Sequence, residues 1–215
     1  MRGAQVLDIS LALAVPVRTA AAGVRALPAA EAIEDGELVA RAQRGDGWAE
    51  DKLYRRHVGY VFGLATRLLR NSVEAEDVVQ DTFAIALEQL GSLRDGTAVR
   101  AWLAQIAVSQ TRRRFRRKKL LQLLHIDTSV DDATLESLAD PGADSETRTE
   151  LSLLDDVLVG LPTEHRVAWM LRYVEGETLE DVARIAGCSL ATAKRWIAAA
   201  DARVRFHVSV KEPPV

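Results

Sequence analysis

Cysteine occurs once in this chain of 215 residues, at Cys188, so no internal disulfide can form and no thiolate cluster can hold a metal. Proline and glycine are sparse, and β-branched residues do not gather in alternating runs, which disfavours sheets and favours helices. The four histidines, His57, His125, His165 and His207, are scattered and have no evident partners. A phosphate-cradling glycine loop and a nucleophile elbow are both missing. No enzyme, no metal and no cofactor is therefore expected. Long apolar runs are missing too. Ile9 to Val17 is uncharged and mostly apolar, but it is too short to span a bilayer. Asp8 precedes it, Pro16 interrupts it and only Arg2 offers a basic start, so neither a secretory signal nor membrane insertion is expected. A reducing cytoplasm fits this composition.

What is present is helical patterning with sorted charge. Apolar residues make up 48% of the chain, enough for real cores, while the net charge is only -3. Against that background Arg112 to Lys119 is cationic at every position except Phe115. The following stretch, 126–150, holds eight acidic residues, Asp127 to Glu150, against the single cation Arg148. A solvated helix end would account for an isolated charge run. Here the cluster is local, and it follows Val99, Trp102, Leu103 and Ile106, which share one helix face at i, i+3, i+4 and i+7. A helix rooted in a core at one end and cationic at the other suits a polyanion, nucleic acid first.

The pattern predicts an all-α protein of two small helical domains joined by a flexible acidic linker. The expected divisions are an N-terminal extension (1–34), a helical domain (35–119), the linker (120–148), a second helical domain (149–208) and a tail (209–215). In the first domain, a short helix from Glu37 to Gln43 is closed by Gly45-Asp-Gly47. A second runs from Ala49 to Arg70 with Leu53, Tyr54, Val58, Val61, Phe62, Ala65 and Leu68 as its stripe. Asn71 and Ser72 offer an N-cap for a third, reaching about Leu90, with Val79, Phe83, Ala86, Leu87 and Leu90 inward. In the second domain, Leu151, Leu154, Val157 and Leu158 form a stripe ending at Gly160, and a helix follows from Thr163 to Val174.

Residues 178–197 read as a helix-turn-helix. Thr178 caps the first helix, with Asp181 in the capping-box position. Val182, Ile185 and Ala186 face inward, Ala183 permits close approach, and Gly187 supplies the turn beside Cys188, a small buried residue. Ser189 caps a second helix with Leu190, Ala193, Ile197 and Ala200 inward. Ala191, Thr192, Lys194, Arg195 and Ala199 point outward, which offers short and cationic side chains to a groove of DNA. A plain helical hairpin shares such a turn. The joint spacing of Ala183, Gly187, Ser189 and Ala193 favours DNA.

Three motifs in this order resemble those of the sigma factors of the extracytoplasmic-function (ECF) group, which join a region 2 domain to a region 4 domain. They are Ala75-Glu-Asp-Val-Val-Gln-Asp-Thr-Phe83, Ala101-Trp-Leu-Ala-Gln-Ile-Ala107 with its basic tail, and Leu161-Pro-Thr-Glu-His-Arg166 before the helix-turn-helix. The resemblance covers about 35–119 and 150–206. It implies that Asp77, Gln80, Asp81 and Glu88 bind core RNA polymerase. It implies that the loop Gly91 to Thr97 and the Trp102 helix capture a flipped base of the -10 promoter element. Ser109, Arg112, Arg113, Arg116 and Arg117 then grip that DNA, and Ser189, Thr192, Lys194 and Arg195 read the -35 element. An anti-sigma factor is the further partner implied. Trp102, on the apolar face, is expected to be core packing. The alternative is a helix-turn-helix regulator acting without stable association with core polymerase. Ser109 stands where the family commonly has Asn, Arg195 and Trp196 replace a common Ser-Arg pair, and Ala199 replaces an Arg. The loop also lacks an aromatic wedge, which implies limited melting power and stringent promoter choice.

Overall fold

The computed structural model describes residues 33–124, 154 and 156–210, apart from the side chains of 122 and 207–210. They form helices and turns, with no strand among the described residues, and fall into two units. Most of the expected N-terminal extension, most of the acidic linker, Leu151 and most of the tail lie outside the described residues.

In the first unit α1 is Asp35–Ala42, α2 Gly47–Leu69, α3 Ser72–Gln89 and α4 Val99–Leu123. Each boundary has a local cause. Asp46 caps α2 by accepting from the backbone N–H groups of Trp48 (3.1 Å) and Ala49 (3.3 Å), and its carboxylate also takes a hydrogen bond from Arg41 Nε at 2.8 Å. That Arg41 bond, more than the cap itself, holds the Asp46 carboxyl below its ordinary acidity range. At the other end Arg70 takes the left-handed conformation (φ 57°) and donates its N–H to Thr66 O at 2.7 Å. This region disfavours a residue with a Cβ by about 1–2 kcal/mol. It lets the chain reverse within two residues, because the buried Asn71 already caps α3 by accepting from Glu74 N at 2.9 Å.

α3 packs against both α2 and α4. Its inner face is Ala75, Val78, Val79, Thr82, Phe83 and Ala86. Ala104 and Ala107 of α4 are fully enclosed, and side chains this small let helix backbones approach closely. The structure corrects several expected stripe residues. Tyr54 and Leu87 are 45% and 52% exposed, and Val58, Phe62 and Trp102 are half-buried. The buried faces are shifted rather than lost: His57, Leu64 and Leu69 join that of α2, and Val78 and Thr82 join that of α3, while a groove opens where the start of α2 faces the end of α3.

In the second unit Leu154 and Leu158 are buried, Leu158 within a helical turn at 156–159, and α5 (Thr163–Tyr173), α6 (Leu179–Ile185) and α7 (Leu190–Val210) follow. Trp169 of α5, 1% exposed, is the largest side chain of this core and stacks at a tilt on Tyr173, ring centroids 5.2 Å apart. Truncating an aromatic so enclosed costs about 3–5 kcal/mol. Gly176 at φ 71° ends the α5 segment, and Gly187 at φ 62° makes the turn between α6 and α7, both where a Cβ would be strained.

The histidines are not all without neighbours. His57 of α2 is 5% exposed, and its Nε2 lies 3.2 Å from Asp35 Oδ2. Burial lowers its proton affinity below the ordinary histidine value, and this outweighs the opposing pull of Asp35. The unfolded chain then binds the proton more readily than the folded one, so stability is complete above about pH 6.5 and falls as pH drops below it. Urea unfolding between pH 7.5 and 5 is expected to show this loss, and His57→Gln should flatten that part of the profile.

Candidate nucleic-acid interface

The basic run does not leave the core as a uniformly charged rod. α4 is one continuous helix, and its enclosed side continues from Leu103, Ala104, Ala107 and Val108 to Thr111 and the half-buried Phe115. Arg113, Arg116 and Arg117 are exposed, as are Ser109 and Lys119. Arg112 is half-buried, with Nε and Nη2 shut off from solvent. Arg114, outside the expected DNA-binding set, turns back onto α3. Its Nη1 donates to Asp81 Oδ2 at 3.0 Å, and its Nη2 stands 3.7 Å from Asp77 Oδ2. The cationic face is therefore one-sided. Arg113 and Arg117, one helical turn apart, repel each other. A polyanion laid along that side relieves the repulsion.

The four residues expected to meet polymerase all lie on the outer face of α3, where Asp77, Gln80, Asp81 and Glu88 are exposed. Two of the four, Asp77 and Asp81, are the carboxylates that Arg114 engages.

The loop between α3 and α4 is more built than its sequence suggests. It forms two short 3-10 turns, Leu90–Ser92 and Gly96–Ala98. Gln43, just past α1, donates from Nε2 to Leu90 O (3.0 Å) and Leu93 O (2.9 Å). Asp95 accepts from Thr97 N at 3.0 Å and Thr97 Oγ1 at 2.6 Å. Gly96 presses against α1, where a Cβ would lie 2.9 Å from Gly36 Cα and 3.1 Å from Val39 Cβ. Periodicity alone assigns α1 no role. It is the platform of this loop, and the signal was available in the pair Gly36 and Gly96, a close backbone approach.

Beside the loop opens a groove of about 270 Å³ lined by Leu53, Tyr54, Phe83, Leu87, Leu90 and Trp102. Tyr54 and Phe83 meet edge-on within it at 4.7 Å. Trp102 thus lines a groove rather than filling the core. Such walls accept the face of an unstacked base or an apolar side chain, and of the two acidic lining residues, Glu50 and Asp51, the second is paired with Arg55.

In the second unit the helix-turn-helix forms as expected, with four corrections. Thr178 accepts from Asp181 N at 3.1 Å and donates to Asp181 Oδ2 at 2.7 Å, and Asp181 pairs in turn with Arg184. Val182, Ile185, Ala186, Ala193, Ile197 and Ala200 are buried. Leu190, expected inward, is 36% exposed, whereas Thr192 and Ala199, expected outward, are half-buried. Cys188 is half-buried rather than buried. The inner line of α7 is Ala193, Ile197, Ala200 and Val204, and Leu190, the first residue of the helix, lies outside it. Lys194 and Arg195 are exposed. Ser189 Oγ accepts from Thr192 N at 3.2 Å and shares a hydrogen bond with Thr192 Oγ1 at 2.9 Å, so both hydroxyls already serve the helix start. Trp196 is half-buried against His165, ring centroids 6.3 Å apart. Among the described residues no group of His, Cys, Asp or Glu could hold a metal ion, and no helix is long and apolar enough to cross a membrane.

Comparison with known proteins finds the same two pieces. Residues 53–120 match the family described as Sigma-70 region 2, and residues 151–203 match Sigma-70, region 4. The chain is 33% identical over 171 residues to the ECF RNA polymerase sigma factor SigM of Mycobacterium tuberculosis, covering 79% of this chain and 82% of the relative. It is 33% identical over 175 residues to the ECF RNA polymerase sigma-E factor of Haemophilus influenzae, covering 78% and 92%. Its fold is similar to that of CnrH solved with the cytosolic domain of CnrY (TM-score 0.59, 24% identity, 83% and 99% covered). It is similar also to the sigma factor RpoE solved with the anti-sigma factor NepR from Bartonella quintana (TM-score 0.60, 23% identity, 75% and 98% covered).

The close approach of Gly96 to α1 gives a direct test of the loop platform. Gly96→Ala should cost about 1–3 kcal/mol in urea unfolding, because the new methyl meets backbone rather than a yielding side chain.

Proposed function

Because this chain belongs to the ECF sigma factors of RNA polymerase, we propose that its two units divide promoter recognition between a -10 element and a -35 element while α3 holds core polymerase. In this reading the units are 35–119 and 149–208, and the cytoplasm is the place of work. The polymerase performs the chemistry and this chain supplies placement. An anti-sigma factor is its regulator.

The observation that carries the reading is α4. One helix anchors in the core of the first unit and then presents Arg113, Arg116 and Arg117 along an exposed side. Those three bind phosphates, and Ser109, exposed one turn before Arg113, lies nearest the bases. Arg112, shut off from solvent at two of its nitrogens, is the least accessible of the four arginines expected on DNA. The loop on its α1 platform and the groove beside it receive an unstacked base, and a loop already tethered by Gln43 loses little entropy on doing so. On α3, Asp77, Gln80, Asp81 and Glu88 form the acidic and polar surface that meets a basic partner face of the polymerase. In the second unit Lys194 and Arg195 read the upstream element, with Ser189 and Thr192 fixing the start of the reading helix. A regulator that ignored core polymerase would have no use for the α3 surface. Competition with another sigma factor for purified core separates the two readings.

Run-off transcription with core polymerase and promoter binding at graded salt test the division of labour. Arg113→Ala, Arg116→Ala and Arg117→Ala combined should weaken binding on all promoters and shrink the salt slope by about 0.9 for each phosphate no longer neutralised. Lys194→Ala or Arg195→Ala should instead change the preference among upstream sequences, by about 1–3 kcal/mol for each base edge no longer read. A uniform loss of affinity from both sets would contradict separate roles.

A further inference from the structure

Arg114 sits within the basic run yet faces away from the open side. Its side chain is 21% exposed, whereas those of its partners Asp77 and Asp81 are 61% and 50% exposed. The arginine is covered while both carboxylates still show oxygen to solvent. Asp77 and Asp81 are four residues apart on α3, so they stand one above the other and repel. The Arg114 guanidinium relieves that repulsion from α4, at 3.7 Å and 3.0 Å. A basic surface docking on α3 would offer the same relief from the solvent side. Arg114 also stands one turn before Arg117, at the edge of the exposed cationic row, on a stem long enough to join it.

The geometry points to Arg114 as a reserve DNA-binding residue: clasped by Asp77 and Asp81 in the free chain, it is released to nucleic acid when a basic partner surface takes those two carboxylates. The inference rests on the reading of α3 as polymerase-facing and α4 as DNA-facing. It adds a coupling between them. Half-exposed carboxylates hold an arginine weakly, so docking opens the clasp without a large opposing energy. Polymerase binding then strengthens the chain's grip on DNA with no other rearrangement, and by reciprocity DNA strengthens its hold on polymerase. The mechanism also keeps the free chain from spending its full charge on non-specific DNA.

The test compares the free full-length chain on a single-stranded DNA oligonucleotide with the holoenzyme on promoter duplex, each across a salt series. In the free chain Arg114→Ala should leave the salt slope unchanged, while Asp77→Asn with Asp81→Asn should tighten binding and steepen the slope by about 0.7, the value for one further phosphate neutralised on a single strand. Adding Arg114→Ala to that pair should erase the effect. Glu76→Gln with Glu88→Gln removes the same charge from α3 away from Arg114 and should not steepen the slope. In the holoenzyme Arg114→Ala should reduce the slope by about 0.9. The inference is overturned if the Asp77/Asp81 pair tightens binding no more than the Glu76/Glu88 pair, if the tightening survives removal of Arg114, or if Arg114→Ala is silent in the holoenzyme. Removal of Arg113, Arg116 and Arg117 distinguishes the levels: if that variant binds DNA as wild type does, the reading of α4 fails too, and if it binds poorly while the Arg114 results fail, only the coupling falls.

Discussion

One uninterrupted helix, Val99–Leu123, ties the stability of the first unit to the position of its charge. Leu103, Ala104, Ala107 and Val108 are locked among the other helices, so the residues that follow have no freedom of direction. At 1.5 Å per residue, the eight positions after Thr111 extend the rod by about 12 Å, with each cation fixed at 100° from the last. Every functional reading of this unit depends on that rigidity. A break between Thr111 and Arg113 would leave the same charges on a tether, and neither the Arg114 clasp nor a one-sided phosphate row would survive. The packing of α3 on α4 works to the same end, since it places two carboxylates where they sort one arginine from its neighbours.

Charge sorting recurs at the turns. Asp46 both caps α2 and binds Arg41, which lies over the exposed ring of Trp48 at 4.8 Å. Arg56 reaches back to Ile33 O and Asp35, and Arg100 covers the ring of Tyr60 at 3.9 Å. Such surface interactions contribute little stability one by one. They engage Arg41, Arg56 and Arg100 locally, whereas Arg113, Arg116 and Arg117 stand exposed along one side of α4. On α3, Glu74 lies in the first turn and donates its backbone N–H to the Asn71 cap, while Asp77, Asp81 and Glu88 are exposed further along.

Periodicity made the helices legible, and cap chemistry made several ends legible. Asn71, Thr178, Gly187 and Ser189 all stand where a single side chain or a single φ decides the turn, and such local causes survive in a bare sequence. The misjudged positions share a different cause. Tyr54, Leu87 and Trp102 are apolar and correctly phased, yet all three line an open groove. Whether neighbouring helices close over such side chains is a tertiary fact with no local signature. Leu190 and Ala199 moved for the same reason, since the inner line of α7 is set by the fit of Ala193 and Ala200 against other helices. Arg114 was hidden for a third reason: one cation among seven reveals its partner only when the neighbouring helix is in place. The family was legible because its motifs join local pattern to order along the chain, and the relatives bear that identification out.

That α4 meets DNA while α3 meets polymerase is tested most directly by site-specific photocrosslinking in the holoenzyme on promoter DNA. With the probe placed singly at 113, 116 or 117, the crosslink should fall on promoter DNA around the -10 element. With the probe at 80 or 88, it should fall on a polymerase subunit. Crosslinks from 113, 116 and 117 to polymerase alone, with DNA captured from 80 or 88, would contradict the account.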